Sequence, residues 1–218
     1  MQTQPYEIRR KSILQAMLRF AALMGSLALG SSVLAAGKPA DPVDWTLDPA
    51  HSRVEFKIRH LGLSWVSGHF KEMKATIQAD PATGKVAAVE ASASVSSLDT
   101  GMSARDEHLQ SPDFFDAASF PEIKAKLKKI DWKGNRFKAV VDLTLHGKTK
   151  TLNVDGEYLG VRKVNFGKGD ELHSGYSMSG VINRQDYGLK FSKLAEGFAV
   201  VGDEVKIEIE VEMTRPAG

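Results

Sequence analysis

The sequence predicts an all-β fold: an eight-stranded antiparallel barrel with a short helical insertion near one mouth. Apolar and polar residues alternate through about eight segments, which is the period of a strand with one buried face. Short loops rich in Gly, Asn, Asp and Pro separate many of these segments and favour antiparallel pairing of neighbours. Closing the strands on themselves would leave no unpaired edge.

The alternation places about eight strands, although the runs at 152–158 and 176–182 are less regular than the others. The last run is the clearest, because Val, Ile and Met alternate with charged residues from Val205 to Met213. Turn signals such as those at 80–84, 133–135 and 146–148 lie between runs. The alternating runs are 54–58, 73–79, 89–95, 123–127, 137–145, 152–158, 176–182 and 205–213.

One segment departs from this pattern and has helix-forming composition. Residues 103–110 predict a helix capped by Ser103, and Ser111 with Pro112 predicts a second short turn. Its apolar residues would lie over one barrel mouth. Two roles stay open, a plug that completes the core and a lid over a ligand.

Composition restricts the classes of function. The 218 residues are 42% hydrophobic and 26% charged, which is typical of a globular protein of one domain. The absence of Cys excludes disulfides, thiolate metal sites and a Cys nucleophile. The net charge of the whole chain is +2. Residues 1–36 have a net charge of +3, so the rest of the chain has a net charge of −1. A nearly neutral chain after residue 36 argues against a nucleic-acid partner, because binding to phosphates needs a clustered basic surface.

Residues 1–36 have the features of a secretory signal peptide. A basic stretch at 9–11 precedes an uncharged run rich in Ala and Leu, which ends in small residues. Cleavage is expected near Ala35 or Ala36, giving a protein exported from the cytoplasm. After an extended lead-in at 37–44, a single barrel domain is predicted over 45–215.

The uncharged run has a second interpretation as a transmembrane anchor, because about 18 residues is a borderline spanning length. Gly25, Ser26 and Gly30 dilute its hydropathy, so we expect no stable membrane insertion. The pair Arg9-Arg10 leaves twin-arginine export open beside the general secretory route.

Small residues on the presumed inner face predict a hollow interior: Ala75, Ala79, Ala91, Ala93, Ala125, Ala139 and Gly180. An eight-stranded barrel is just wide enough to be filled by side chains or to hold a slender ligand. The alternative is that these residues only fit the taper of a packed barrel. The predicted cavity wall comprises Phe56, Ile58, Phe70, Leu109, Phe114, Phe115, Phe137 and Tyr176.

A polar group at the mouth would contact a ligand headgroup, and four residues are candidates for it. Arg105 and His108 lie on the inserted helix, and Arg184 and Asp186 on a late loop. Each pair also has a structural interpretation, as a solvated helix face or as a turn pair.

Nothing in the sequence predicts an enzyme. The nucleophile-elbow pattern is only approximated at 175–180, within a strand pattern, and no His residues have metal-ligand spacing. We therefore expect neither a catalytic residue nor a bound metal, and a periplasmic hydrolase is the alternative. An outer-membrane barrel is disfavoured, because charged residues such as Lys124 and Lys126 would crowd a narrow lumen.

Four groups of motifs carry a family resemblance, in the order of the family: 48–70, 97–116, 143–149 and 183–189. From about Trp45 to Met213 the chain resembles the YceI-like family. The resemblance implies a lipocalin-like eight-stranded barrel, periplasmic in Gram-negative bacteria, that binds long isoprenoid lipids in an apolar tunnel. A homodimer is plausible for this family.

We therefore expect no cofactor, and as bound ligand an isoprenoid lipid of the quinone or polyprenyl phosphate type. At about 0.3 kcal/mol per heavy atom, burying a tail of about 40 carbons supplies about 12 kcal/mol, near nanomolar affinity. A scavenger of other hydrophobic small molecules is the alternative binding function.

Overall fold

The computed structural model describes residues 40–195 and 197–217. The predicted signal peptide at 1–36 lies outside the described residues. The first strand begins at Val43, inside the stretch predicted as a lead-in, and the last ends at Pro216.

The described residues form thirteen strands, one α-helix and two short 3-10 helices. The 3-10 helices are Val95–Ser97 and Arg184–Tyr187, and the α-helix, α1, is Ser103–Gln110. The strands are β1 Val43–Leu47, β2 Arg53–His60, β3 Ser64–Phe70, β4 Met73–Ala79, β5 Val86–Ser94, β6 Leu98–Asp99, β7 Glu122–Lys133, β8 Arg136–Leu145, β9 Lys148–Asn165, β10 Asp170–Asn183, β11 Leu194–Ala195, β12 Phe198–Ala199 and β13 Val201–Pro216.

Eight strands close into an antiparallel barrel in the order β1-β4-β5-β7-β8-β9-β10-β13, and β13 returns to β1. The predicted fold is therefore confirmed. The long strand β13 pairs with β1 near Met213 and with β2 from Glu210 to Val201. Strands β1 and β2 thus act as one bent strand of the barrel wall, which is interrupted at residues 48–52. Strands β3 and β4 together form the neighbouring strand of the wall.

The barrel has two distinguishable ends. At one end, which we name the mouth, β10 and β13 pair at Asn183 and Glu204, and β2 meets β13 at His60 and Val201. At the other end, named the floor, β10 and β13 pair at Glu171 and Pro216. The β4–β5, β7–β8 and β9–β10 turns lie at the floor.

Helix α1 occupies the predicted segment, but its predicted cap is wrong. Met102 precedes the helix in an extended conformation, and no side chain caps its amino end. Ser111 instead closes the carboxyl end, because its hydroxyl donates to the carbonyl of His108 at 2.7 Å. The segment from Ser111 to Phe120 continues as consecutive turns.

The β4–β5 turn at the floor is organised by one buried carboxylate. Oδ1 of Asp80 accepts the backbone N–H of Ala82 at 2.7 Å, and Oδ2 accepts the hydroxyl of Thr83 at 2.6 Å and the N–H of Ala40 at 3.2 Å. The turn then presents Gly84 to the barrel interior. There Gly84 has a φ of +68°, and a Cβ would lie 2.1 Å from the Tyr158 ring.

Replacing Asp80 with Asn is expected to lower the free energy of unfolding by about 1–3 kcal/mol at neutral pH, because an amide nitrogen cannot accept hydrogen bonds. Burial acts to raise the pKa of Asp80, but the hydrogen bonds from Thr83, Ala82 and Ala40 outweigh it and hold the pKa below its ordinary value. A depressed folded-state pKa contributes stability that is present above the unfolded pKa and lost as the pH falls through the folded pKa. Denaturation curves of the two proteins, measured from about pH 7 to about pH 2, should therefore converge at the acid end. A stability difference that stays constant with pH would contradict this assignment.

Candidate functional site

The barrel encloses a cavity of about 600 Å³. This volume lies within the range of about 300–1,000 Å³ that is usual for small-molecule sites. Inward-facing residues of β13, such as Ile207 and Ile209, line the cavity and are only partly buried. In a solid core these side chains would be fully buried. The interior of the barrel is therefore hollow and almost entirely apolar.

All eight residues that the sequence predicts as wall residues line this cavity. They come from three regions, namely the barrel strands, α1 and the turns after α1: Phe56, Ile58, Phe70, Leu109, Phe114, Phe115, Phe137 and Tyr176. Their contact with a ligand stays a prediction, because lining a cavity does not by itself establish binding.

A stripe of alanines creates much of the open space. Ala91 on β5 is the direct register partner of Ala75 on β4 and of Ala125 on β7, and all three line the cavity. Ala93 and Ala139 line it as well, whereas Ala79 and Gly180 do not. Because three neighbouring strands place methyl groups side by side, the wall recedes at this level.

Aromatic side chains close the floor. Phe137 packs on Trp132 with ring centres 4.8 Å apart, and Tyr176 packs on Tyr158 at 5.2 Å. The Tyr176 hydroxyl donates to the carbonyl of Gly84 at 2.7 Å. Burial raises the pKa of the Tyr176 phenol, so this group is a neutral donor at physiological pH.

Helix α1 and the turns after it cover the mouth. Phe115 and Phe70 of the barrel meet at right angles, with ring centres 6.2 Å apart. Phe114 stacks on Phe191 of the late loop, residues 184–193, with ring centres 4.6 Å apart. The His108 ring is perpendicular to the rings of Phe114 and Phe191, with ring centres 5.1 and 5.4 Å away. The cover is therefore attached to the barrel and to the late loop through aromatic contacts.

Two of the polar candidates stand at this mouth, and both already have protein partners. Arg105 donates from Nε to the Thr100 hydroxyl at 2.7 Å and from Nη2 to the Thr100 carbonyl at 2.8 Å. His108 Nε2 lies 3.1 Å from Asp113 Oδ2. Both residues line the cavity, so they are the polar groups that the covering segment offers to a ligand.

The other two candidates separate in the structure. Arg184 is 3% exposed, and its guanidinium donates to the carbonyls of Gly202 and Leu189 and to Asp203. Its ion-pair partner is Asp203 at 2.9 Å rather than Asp186. Arg184 reaches the cavity, whereas Asp186 is exposed and does not line it.

Sequence reasoning missed several lining residues. Phe191 and His60 line the cavity at the mouth. The inward residues of β13 line the cavity along the length of the strand. The alternation of apolar and charged residues in β13 was the signal that could have identified its inward residues as wall residues. Phe191 follows the late motif at 183–189, and its apolar ring after Lys190 was the available signal.

A group of polar residues lies outside the cavity, at the interruption between β1 and β2. There Asp48, His51 and Glu212 place potential ligand atoms within 4.8 Å of one another. Hydrogen bonds explain the arrangement: His51 Nδ1 is 2.8 Å from Asp48, and His173 Nδ1 is 2.7 Å from Glu212. The bond to Asp48 raises the pKa of His51, and that from His51 lowers the pKa of Asp48.

Within residues 40–195 and 197–217, no helix has the length and hydropathy needed to cross a membrane.

Comparison with known proteins agrees with the resemblance seen in the motifs. A sequence model described as the YceI-like domain matches residues 45–213. A protein of Pseudomonas savastanoi pv. phaseolicola named UPF0312 protein is 34% identical over 170 residues, covering 77% of this chain and 86% of the relative.

Solved structures give the same result. The YCEI protein of Campylobacter jejuni is 30% identical, with a TM-score of 0.62, over 72% of this chain and 89% of its own. A polyisoprenoid binding domain from Saccharophagus degradans, implicated in plant cell wall breakdown, has a TM-score of 0.55 over 79% of this chain and 98% of its own. At 13% identity, this last similarity is one of fold.

Proposed function

The chain belongs to the YceI-like family, and on that premise we propose that it is an exported lipid-binding protein that holds a long isoprenoid chain in the barrel cavity. The cavity of about 600 Å³, walled by apolar side chains, is the observation that carries the proposal. The description of the Saccharophagus degradans domain as polyisoprenoid binding supports the same ligand class.

The shape of the site favours a chain over a compact ligand. Between the covered mouth and the aromatic floor, the cavity is widened by the stripe of Ala75, Ala91 and Ala125. Such a space takes a flexible apolar tail, whose binding rests on removal of apolar surface from water. Each buried heavy atom contributes about 0.3 kcal/mol for a ligand of this size.

The polar end of the ligand belongs at the mouth. Arg105 is the cation among the cavity-lining residues of the covering segment, and its Nη1 has no partner within the described part of the chain. A quinone carbonyl or a phosphate oxygen would accept a hydrogen bond from this guanidinium. Binding of this kind needs no nucleophile and no metal, so the proposed activity is carriage or storage.

Export belongs to the same proposal. The predicted signal peptide at 1–36 would direct the chain to the periplasm, where an apolar tail needs a protein cover to cross water. The quinone and polyprenyl phosphate types both have such tails and differ in the headgroup.

Organic extracts of protein purified from cells that express the full chain should contain an isoprenoid lipid, detectable by mass spectrometry in near-stoichiometric amount. The matched control is the same extract from a variant with a filled cavity, Ala91→Phe. An extract dominated by other hydrophobic molecules would favour the scavenger alternative. A folded protein that yields no lipid and takes up no added quinone would overturn the proposal.

A further inference from the structure

Exposed apolar side chains occur beside the cavity mouth, in the β2–β3 turn, near the start of β3 and in β11. Leu63 in the β2–β3 turn is 82% exposed, and Leu194 in β11 is 65% exposed. Trp65, at the start of β3, is 41% exposed. Exposed apolar groups in one place mark an interaction site more often than single ones do.

These residues lie on one rim because backbone hydrogen bonds join the segments that carry them. The N–H of Leu61 donates to the carbonyl of Val200 at 3.0 Å, and the N–H of Val200 donates to the carbonyl of Lys193 at 2.9 Å. The β2–β3 turn and the β11–β12 hairpin therefore stand side by side. Val200 also lines the cavity, so the rim is continuous with the mouth.

Cations surround the tryptophan of this rim. The Arg59 guanidinium lies 4.1 Å from the centre of the Trp65 ring, and the Lys206 ammonium lies 5.0 Å from it. Neither cation forms an ion pair with any residue that the structure describes. Lys190 and Lys193 are exposed on the adjoining late loop.

Carboxylates also lie near this end of the barrel. The nearby carboxylates of the β10–β13 end are Asp186, Asp203 and Glu204, and Asp203 is paired with Arg184. The covering segment, α1 with its following turns, exposes Glu107 and Asp113 and carries one arginine, Arg105. The rim therefore combines exposed apolar side chains with the cations Arg59 and Lys206, whereas the covering segment holds more carboxylates than cations.

We propose that the rim formed by Leu63, Trp65, Leu194, Arg59 and Lys206 docks reversibly on an anionic lipid bilayer and holds the cavity mouth against it. Trp prefers the interface between lipid headgroups and chains, and Leu side chains insert just below it. Arg and Lys beside them are attracted to anionic headgroups. This inference rests on the proposed function, because a carrier of membrane lipids must meet the membrane at its opening.

Vesicle flotation tests the proposal with the protein purified from cells that express the full chain. Vesicles of phosphatidylethanolamine with about one quarter phosphatidylglycerol should bind it, and phosphatidylcholine vesicles should bind it weakly. The double variant L63S/L194S should bind the anionic vesicles at least about tenfold more weakly. Lys206→Gln should weaken binding about fivefold at low salt, and high salt should reduce binding of the wild type.

Phe166→Ser is the matched control, because Phe166 is 73% exposed in the β9–β10 turn at the floor. It should float like the wild type. Equal losses in Phe166→Ser and L63S/L194S, or no loss in L63S/L194S, would overturn the proposal. A wild-type protein that sediments as a dimer and becomes monomeric in L63S/L194S would also overturn it, since the rim would then be a contact between copies of the chain.

Uptake of a soluble short-chain quinone separates this inference from the proposed function. L63S/L194S should take up this quinone with wild-type affinity but extract a long-chain quinone from vesicles at least about tenfold more slowly. If the wild type binds quinone but not vesicles, only the docking inference fails. If it binds vesicles but no quinone, the proposed lipid-carrier function fails, and with it the reason for docking.

Discussion

Replacing Ala91 with Phe is expected to weaken binding of an isoprenoid ligand at least about twentyfold while the barrel stays folded. Ala91 faces the cavity between Ala75 and Ala125, so the new ring enters space that the three methyl groups leave open. The substitution adds about six heavy atoms, and the ligand atoms that they displace contribute about 0.3 kcal/mol each, about 1.8 kcal/mol together. A tail that must pass this level also loses the contacts that lie deeper.

The matched control is Ala88→Phe, on the same strand. Ala88 is exposed and pairs with Gln78 on the outer face, so a ring there stays in solvent. Quinone affinity measured by fluorescence quenching should fall in Ala91→Phe and not in Ala88→Phe. Overpacking a filled core costs about 1–3 kcal/mol, whereas filling a cavity does not. A large loss of thermal stability in Ala91→Phe, with quinone affinity retained, would mean that the interior is solid and the ligand binds elsewhere.

The strands could be predicted from the sequence because each has one face in an apolar interior and one in water. The clearest run, Val205 to Met213, is the centre of β13. The interruption of the first wall strand at 48–52 could not be predicted in this way. It depends on how β13 is shared between β1 and β2, and such sharing is a property of the closed barrel rather than of a local pattern.

The cavity wall was predictable for the same reason as the strands, since Phe56, Ile58 and Phe137 each occupy the apolar phase of an alternating run. The mouth was less predictable, because its groups come from loops without periodicity. Phe191 meets Phe114 across 77 residues of chain, and Arg184 bypasses nearby Asp186 to reach Asp203. Side-chain partners in loops follow from tertiary placement, which residue types alone do not encode.

Arg184→Met is expected to lower the free energy of unfolding by about 3–5 kcal/mol and the melting temperature by about 6–20 °C. The side chain is 3% exposed and donates to the carbonyls of Gly202 at 2.7 Å and Leu189 at 2.5 Å. Met fills similar volume but donates nothing, so these carbonyls lose their charged donor in a buried setting. Burial lowers the pKa of Arg184 and the Asp203 charge opposes this, which is what a guanidinium held inside the protein should show.

Asp203→Asn separates the ion pair from the carbonyl contacts. The Asp203 side chain is 54% exposed, and exposed ion pairs contribute at most about 1 kcal/mol. Thermal and urea unfolding should therefore show a small loss for Asp203→Asn and a large one for Arg184→Met; similar losses would assign the stability to the ion pair instead. Because Gly202 and Leu189 flank the mouth, where Val201 pairs with His60, Arg184 joins the late loop to the start of β13. Loss of this clamp should loosen the cavity entrance before the barrel unfolds, so quinone release from Arg184→Met should be faster than from Asp203→Asn.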